Sequence, residues 1–255
     1  MANGKYALVT GASSGIGRAM AKALASKGNN LILVARRNDR LQALKKEIEH
    51  ICDKVDVVIA CTDLSVMENC KKLVEDTKIY KPHIVINNAG FGRVGFFTEI
   101  EQDKEEEMIK LNIESLYCLT KMFVEEMDEG IILNVSSLAA FLPTPLLATY
   151  AATKAFVLNF SLAVNNELKH QKRPIKIKVL CPGPVNTEFA KVAGARQGFM
   201  EMSPERCATI AIKGLEKRKA VIIPGPLMKF ARFLVWLLPQ RIILAASFRL
   251  QSKKE

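Results

Sequence analysis

Residues 6–17 read YALVTGASSGIG, and the fold is decided where this stretch changes character. Residues 6–9 form a short apolar run of the kind that fits a buried strand, whereas apolar side chains recur at helical spacing from Ile16 onward. Gly11, Gly15 and Gly17 stand between the two patterns. A strand that turns into a helix through a glycine-rich loop is the opening unit of an alternating α/β chain, and its geometry has a chemical use. Gly11 permits the tight turn, Gly15 lets backbone N–H groups approach pyrophosphate oxygens, and Gly17 lets the helix pack closely on the strand. The helix N-terminus faces such a ligand with free N–H groups and the positive end of its dipole. Similar loops also serve as plain turns, so the rest of the chain has to support the reading.

Moving outward, short apolar runs alternate with longer helical patterns. Strands are expected near 5–10, 30–35, 55–61, 84–87, 130–136, 175–181 and 220–223, and helices near 16–27, 40–51, 66–80, 104–127, 150–169 and 204–217. Repeated strand, helix, strand units imply right-handed crossovers and a parallel sheet covered on both faces. No linker, repeat or low-complexity stretch divides the 255 residues. The expectation is a doubly wound α/β domain over 1–225 and a C-terminal apolar, basic helical extension over 226–255.

Composition excludes several classes of protein. Apolar residues make up 49% of the chain, which argues for a folded globular protein. The six cysteines, at 52, 61, 70, 118, 181 and 207, contain no CxxC pair, and the three histidines are not closely spaced, so no metal site is expected. The net charge of +11 comes with no recognition helix and no interleaved aromatic and basic motif, so nucleic acid is not expected as a partner. Residues 1–30 lack the pattern of a secretory leader, and the expected residence is cytoplasmic, with a peripheral position at the inner membrane face as the alternative.

The end of the second strand reports on the nucleotide. An acidic residue there would accept hydrogen bonds from adenosine ribose hydroxyls, but the chain reads VARR, with Arg36 and Arg37 after Ala35. Guanidinium groups suit a 2′-phosphate, so NADP(H) is favoured over NAD(H). The competing reading makes these arginines, with Arg40, a solvated helix start.

Tyr150 and Lys154 stand four apart in YAATK and share one helical face, with Ser137 thirteen residues upstream at the end of an apolar run. Hydride transfer to a ketone builds negative charge on its oxygen, and a fixed proton donor with a hydrogen-bonding neighbour answers that need. Tyr150 would supply the proton, Ser137 would steady the oxygen, and the Lys154 ammonium would favour the phenolate. Taken singly, each residue has an ordinary alternative: surface tyrosine, solvated charge, helix cap.

These residues resemble the short-chain dehydrogenase/reductase family, in its single-domain, NADP-preferring subgroup. The matching stretches are TGASSGIG at 10–17, Asp63-Leu64, NNAG at 87–90, Asn112, Ser136-Ser137, YAATK at 150–154 and PGPVNT at 182–187. The resemblance implies a seven-stranded Rossmann-type sheet and a catalytic set of Asn112, Ser137, Tyr150 and Lys154. It also implies cofactor contacts from Gly11, Ser13, Ser14, Gly15, Ile16, Gly17, Arg36, Arg37, Asp63, Leu64, Asn88, Ala89, Gly90, Tyr150, Lys154, Pro182, Gly183, Val185 and Thr187. Within that set it gives Asn112 a local helix interruption and a water-mediated proton relay to Lys154. Asp63 and Asn88 fall on the adenosine side, and Thr187 on the nicotinamide carboxamide or nearby phosphates, with a helix cap as its alternative. A homodimer or homotetramer through the helices at 104–127 and 150–169 is implied as well. Ala140 departs from the family, where many relatives carry Gly. A cofactor-sensing protein without turnover, or a membrane-associated scaffold of the same fold, would share most of these features, although a sensor has no need of Tyr150 and Lys154.

The substrate is less legible. The loop AAFLPTPLL after Ser137, together with Phe189, Val192, Phe199 and Met200, favours a hydrophobic ketone or alcohol such as a steroid, bile acid or 3-oxoacyl group. The tail PLMKFARFLVWLLPQRIILAASFRLQSKKE carries +5 of the total charge, and Pro239 breaks its apolar run far short of the ~20 residues a membrane span needs. Residues 227–255 read equally as an interfacial membrane segment or as a cover for the pocket or a subunit interface.

Overall fold

The computed structural model describes residues 4–194 and 201–252. The sheet has seven parallel strands in the order β3-β2-β1-β4-β5-β6-β7. They are β1 (Tyr6–Thr10), β2 (Asn30–Ala35), β3 (Val57–Cys61), β4 (Ile84–Asn87), β5 (Gly130–Val135), β6 (Ile175–Leu180) and β7 (Val221–Ile222). Helices cover both faces, as the uniformly buried β2 sequence NLILVA requires. Alternate side chains divide between two cores: Ala7, Val9, Leu31 and Leu33 face one layer, and Leu8, Ile32 and Val34 face the other.

The first layer contains α1 (Gly15–Ala25), α2 (Asn38–Ile51) and α8 (Pro204–Leu215). The second contains α3 (Met67–Thr77) and α5 (Leu116–Glu126) and reaches the buried Leu168 of α6 (Ala148–His170). The strand order reverses at β1, which pairs with β2 on one side and β4 on the other. A crevice opens at the carboxyl ends of those strands, and in such sheets this is where ligands bind.

Three stretches differ from the sequence expectation. The helix expected at 104–127 begins earlier, as α4 (Gln102–Ile109), and reaches α5 through a π-helical segment, Lys110–Ser115, centred on Asn112. The helix expected at 66–80 ends as a 3-10 turn, Lys78–Tyr80, which leads into Lys81 at a left-handed φ of 45°. The loop after PGPVNT contains a short helix, α7 (Glu188–Ala193), capped by the Thr187 hydroxyl.

Residues 226–252 form α9 (Pro226–Leu237) and α10 (Gln240–Ser252), separated where Pro239 cannot continue a helix. Both helices lie against the body of the molecule. Met228 joins the small core of Leu158, Val179, Cys181 and Ile223, the Arg232 guanidinium sits 4.6 Å from the Phe141 ring centroid, and Phe248 meets Phe96 at 6.4 Å. No helix among the described residues is long and apolar enough to cross a membrane.

Candidate active site

The glycine loop lies at the carboxyl end of β1, as its sequence implies. Gly11 and Gly15 adopt positive φ angles of 65° and 54°. A side chain at Gly17 would collide with the Gly11 carbonyl and the Asn88 amide, so α1 approaches the strand only with glycine there. Thr10 and Asn88 lock the loop to β4: the Thr10 hydroxyl accepts from Asn88 N at 2.9 Å and Ala89 N at 3.0 Å, while the Asn88 amide donates to Thr10 O at 2.9 Å. Asn88 thus buttresses the cradle. Thr10, which sequence reasoning passed over, organises it through a hydroxyl that the TGASS pattern displays.

Ser14 precedes α1 without a side-chain cap, and no acidic residue occupies the first turn. A cleft of about 410 Å³ opens beside it, lined by Ser13, Ser14, Gly15, Arg40, Thr187 and Glu188 among others. The arrangement fits a dinucleotide, because uncapped helix N–H groups face a glycine cradle flanked by arginine.

The two arginines at the end of β2 point different ways. Arg37 turns to the loop, its guanidinium donating to Ser13 Oγ and Ser14 Oγ, both at 3.0 Å. Arg36 turns away to Asp63, 3.6 Å distant, and Glu107 at 3.4 Å. Arg40, which sequence reasoning left as a solvated alternative, lies one helical turn beyond Arg37 and shares with it the carboxylate of Glu188. That spacing of three was the available signal. Both arginines hold the Glu188 carboxyl below its usual range, Arg40 more strongly.

At the other end of the crevice, β5 delivers Ser137 and α6 delivers Tyr150 and Lys154. Ser136 ties the two elements together, its hydroxyl donating to Lys154 O at 2.7 Å. Tyr150 is 9% exposed, and the Ser137 hydroxyl is near enough to oppose the effect of burial on its proton affinity. Ser137 also caps the turn Leu138–Phe141, its oxygen accepting from Ala139 N at 3.2 Å. Lys154 Nζ donates to Val135 O at 3.0 Å and lies 5.7 Å from the Tyr150 ring centroid.

Burial governs the acid-base properties of this pair. It pushes the Tyr150 hydroxyl up to about 12, with the Ser137 hydrogen bond opposing, and it pushes Lys154 down to about 8. The ammonium of Lys154 is expected to favour the phenolate, but the largest influence on Tyr150 is its burial, which favours the protonated phenol.

Asn112 sits in the π-helical segment and is 1% exposed. Its side chain clamps the loop after NNAG to α6, accepting from Phe91 N at 3.1 Å and donating to Phe91 O at 2.9 Å and Thr153 Oγ1 at 3.1 Å. A Cβ at Gly90 would come within 2.7 Å of Asn112 Oδ1 and 3.4 Å of Lys154 Nζ, so glycine allows three segments to converge.

Leu64 and Ala89 pack in the second core, Val185 packs against the first, and Leu138 N donates to Pro182 O at 2.8 Å. Gly183 is covered by Met228 of α9, and a second cavity of about 290 Å³ runs from Gly183–Val185 to Met228. Phe189 of α7 packs on the Tyr150 ring with centroids 5.3 Å apart. Thr187 caps α7 and rests its methyl group against Gly15. Phe199 and Met200, expected in the substrate lining, lie outside the described residues.

Comparison with known proteins places these observations. The profile of the short chain dehydrogenase family matches residues 5–198. A very-long-chain 3-oxoacyl-CoA reductase of Kluyveromyces lactis is 33% identical over an alignment of 227 residues that covers 84% of this chain and 64% of that protein. Hydroxysteroid dehydrogenase-like protein 1 of Gallus gallus is 33% identical over an alignment of 225 residues that covers 84% of this chain and 67% of the relative. The chain thus matches about two thirds of the length of these relatives. A solved short-chain dehydrogenase from Sphingobium yanoikuyae, in complex with NADPH, has a TM-score of 0.79 at 29% identity, over 92% of this chain and 96% of the other.

Proposed function

The chain belongs to the short-chain dehydrogenase family, and on that basis we propose that it is an NADP(H)-dependent oxidoreductase reducing a hydrophobic ketone to a secondary alcohol. The observation that carries this reading is the buried pair Tyr150 and Lys154 on one face of α6, with Lys154 Nζ 5.7 Å from the Tyr150 ring centroid and α6 tied by Ser136 to the strand end that delivers Ser137. When bound, the nicotinamide supplies the hydride. Tyr150 gives its hydroxyl proton to the carbonyl oxygen, and Ser137 donates a hydrogen bond to the same oxygen as charge develops on it. Lys154 holds a positive charge behind the phenol, and Asn112 fixes the backbone at Phe91 that floors the site. Because Tyr150 is protonated at neutral pH, the resting residue is ready for reduction.

The support for NADP(H) is Arg37 on the serines of the loop with Arg40 beside it, and the lack of an acidic residue at 36 or 37. The support for a lipid-like carbonyl is the apolar turn Leu138–Phe141, the Phe189 ring, and relatives named for 3-oxoacyl-CoA and hydroxysteroids. The support for an oligomer is an aromatic strip on α5 and α6, where Tyr117 is 49% exposed and Phe156 stacks on Phe160. The tail is read as an interfacial membrane contact, since α9 contains no buried residue while its apolar side chains and arginine lie together.

NADPH oxidation by the purified protein, compared with NADH, against steroid ketones, 3-oxoacyl thioesters and aromatic carbonyls tests the reading. Turnover with NADPH that falls about 10²–10⁴-fold in Tyr150→Phe is the expected result. Turnover undiminished in that variant would refute Tyr150 as the acid.

A further inference from the structure

The arginine end of the crevice already holds an anion belonging to the chain. Glu188, the first residue of α7, presents one carboxylate to two guanidinium groups, meeting Arg37 Nη1 at 3.1 Å and Arg40 Nη1 at 2.6 Å and 2.8 Å. The same Arg37 reaches Ser13 and Ser14 of the glycine loop. The carboxylate therefore stands where the loop, the β2–α2 corner and α7 converge.

Carboxylates and phosphates engage guanidinium groups through the same paired oxygen geometry, and a phosphate monoester brings more charge to it. We propose that Glu188 is an internal competitor for the 2′-phosphate of NADP(H), occupying Arg37 and Arg40 until the phosphate displaces it and so setting the preference between NADPH and NADH. This rests on the reading that Arg37 receives the 2′-phosphate.

Two features suit a displaceable anion. The three side chains are 41%, 41% and 44% exposed, and ion pairs with this much access to water are weak enough for a dianion to exchange. The partner being exchanged is also carried on a segment whose other contacts reach both halves of the site: Thr187 rests on Gly15, and Phe189 packs on Tyr150. Occupation of the arginines by phosphate releases the charged tether of the helix that covers the catalytic tyrosine. NADH brings no anion to that corner and leaves the tether in place.

The test is direct binding, measured by the fluorescence of NADPH and NADH on titration into the wild type and Glu188→Gln, Arg37→Ala and Glu205→Gln variants. Glu205 lines the same cleft, so it controls for the loss of one negative charge. Glu188→Gln is expected to tighten NADPH by about three- to tenfold and to change NADH by less than about twofold. Weakening of both cofactors would overturn the proposal and make Glu188 a clamp. An equal gain in Glu205→Gln would overturn it in favour of a general field effect. Arg37→Ala separates the two levels of inference: if NADPH affinity is unchanged there, the 2′-phosphate reading itself fails. If Arg37→Ala weakens NADPH but Glu188→Gln has no effect, only the competitor role fails.

Discussion

Lys154 makes the chemistry of the site expensive for the fold. A lysine pushed down to about 8 by burial binds fewer protons in the folded state than in the unfolded chain at any pH between that value and 10.5. Its destabilising contribution is therefore full below pH 8 and is relieved as pH rises towards 10.5. On that shift, Lys154→Met should stabilise the protein at pH 7 by up to about 3 kcal/mol, offset in part by the unpaired Val135 carbonyl, while abolishing turnover. Thermal denaturation of both proteins at pH 7 and pH 10 checks this, and a gap that does not narrow at the higher pH would count against it. Turnover has the same dependence on Lys154. The kcat/KM for ketone reduction should fall as pH rises through about 8, since the ammonium loses its proton long before Tyr150 does. A rate flat to pH 10 would show that the charge on Lys154 does not support the transfer. At this scale the four-residue spacing of Tyr150 and Lys154 was legible in the sequence, and both residues lie buried on α6. That burial is the largest influence on their proton affinities was not legible there.

Between elements, the sheet and its covering helices are joined by a buried polar chain of which only Asn87, in NNAG, belongs to a sequence motif. Asn87 of β4 donates to Asn134 Oδ1 of β5 at 2.9 Å and to Thr120 of α5 at 3.2 Å, and Asn134 in turn donates to Ser161 of α6 at 2.8 Å. Asn134, Thr120 and Ser161 are fully buried, so the cost of losing a partner is large. Asn134→Ala should destabilise the fold by about 2–4 kcal/mol, read from the urea midpoint, because it removes a hydrogen-bond partner from Asn87, Thr120 and Ser161 at once. A loss below about 1 kcal/mol would mean that the network contributes little. Most strands were legible to within two residues, since apolar runs bounded by turn residues report them well. The π-helical segment around Asn112 was expected only through family resemblance, and α7 was foreshadowed only by the helix-cap alternative for Thr187. Six residues with one hydroxyl cap carry too weak a periodic signal to separate a helix from a loop.

For the whole molecule, the most consequential surface is the outer face of α9 and α10. Trp236 is 79% exposed, and Phe230, Phe233 and Leu237 each exceed 50%, while Lys229, Arg232, Arg241 and Arg249 interleave with them. Burying three such side chains in a bilayer interface contributes several kcal/mol, and each basic residue near anionic lipid adds about 1 kcal/mol. The protein should therefore co-sediment with anionic phospholipid vesicles in low salt. Partitioning should drop at least tenfold when Phe233, Trp236 and Leu237 are all replaced by Ser. Equal partitioning of wild type and variant would assign the surface to another role. The same tail also touches the site through Met228 on Gly183 and Arg232 on Phe141, so the two readings of its sequence are not exclusive.

The sequence by itself determined the α/β alternation, the glycine cradle, the Tyr150 and Lys154 face and the amphipathic character of the tail. Each is a local pattern of period, spacing or composition, written within a few neighbouring residues. Only the tertiary structure decided that Arg36 and Arg37 diverge, that Glu188 reaches back about 150 positions to Arg37 and Arg40, and that Phe189 covers Tyr150. Those are meetings between segments far apart in the chain, and their partners are set by how the helices dock on the sheet.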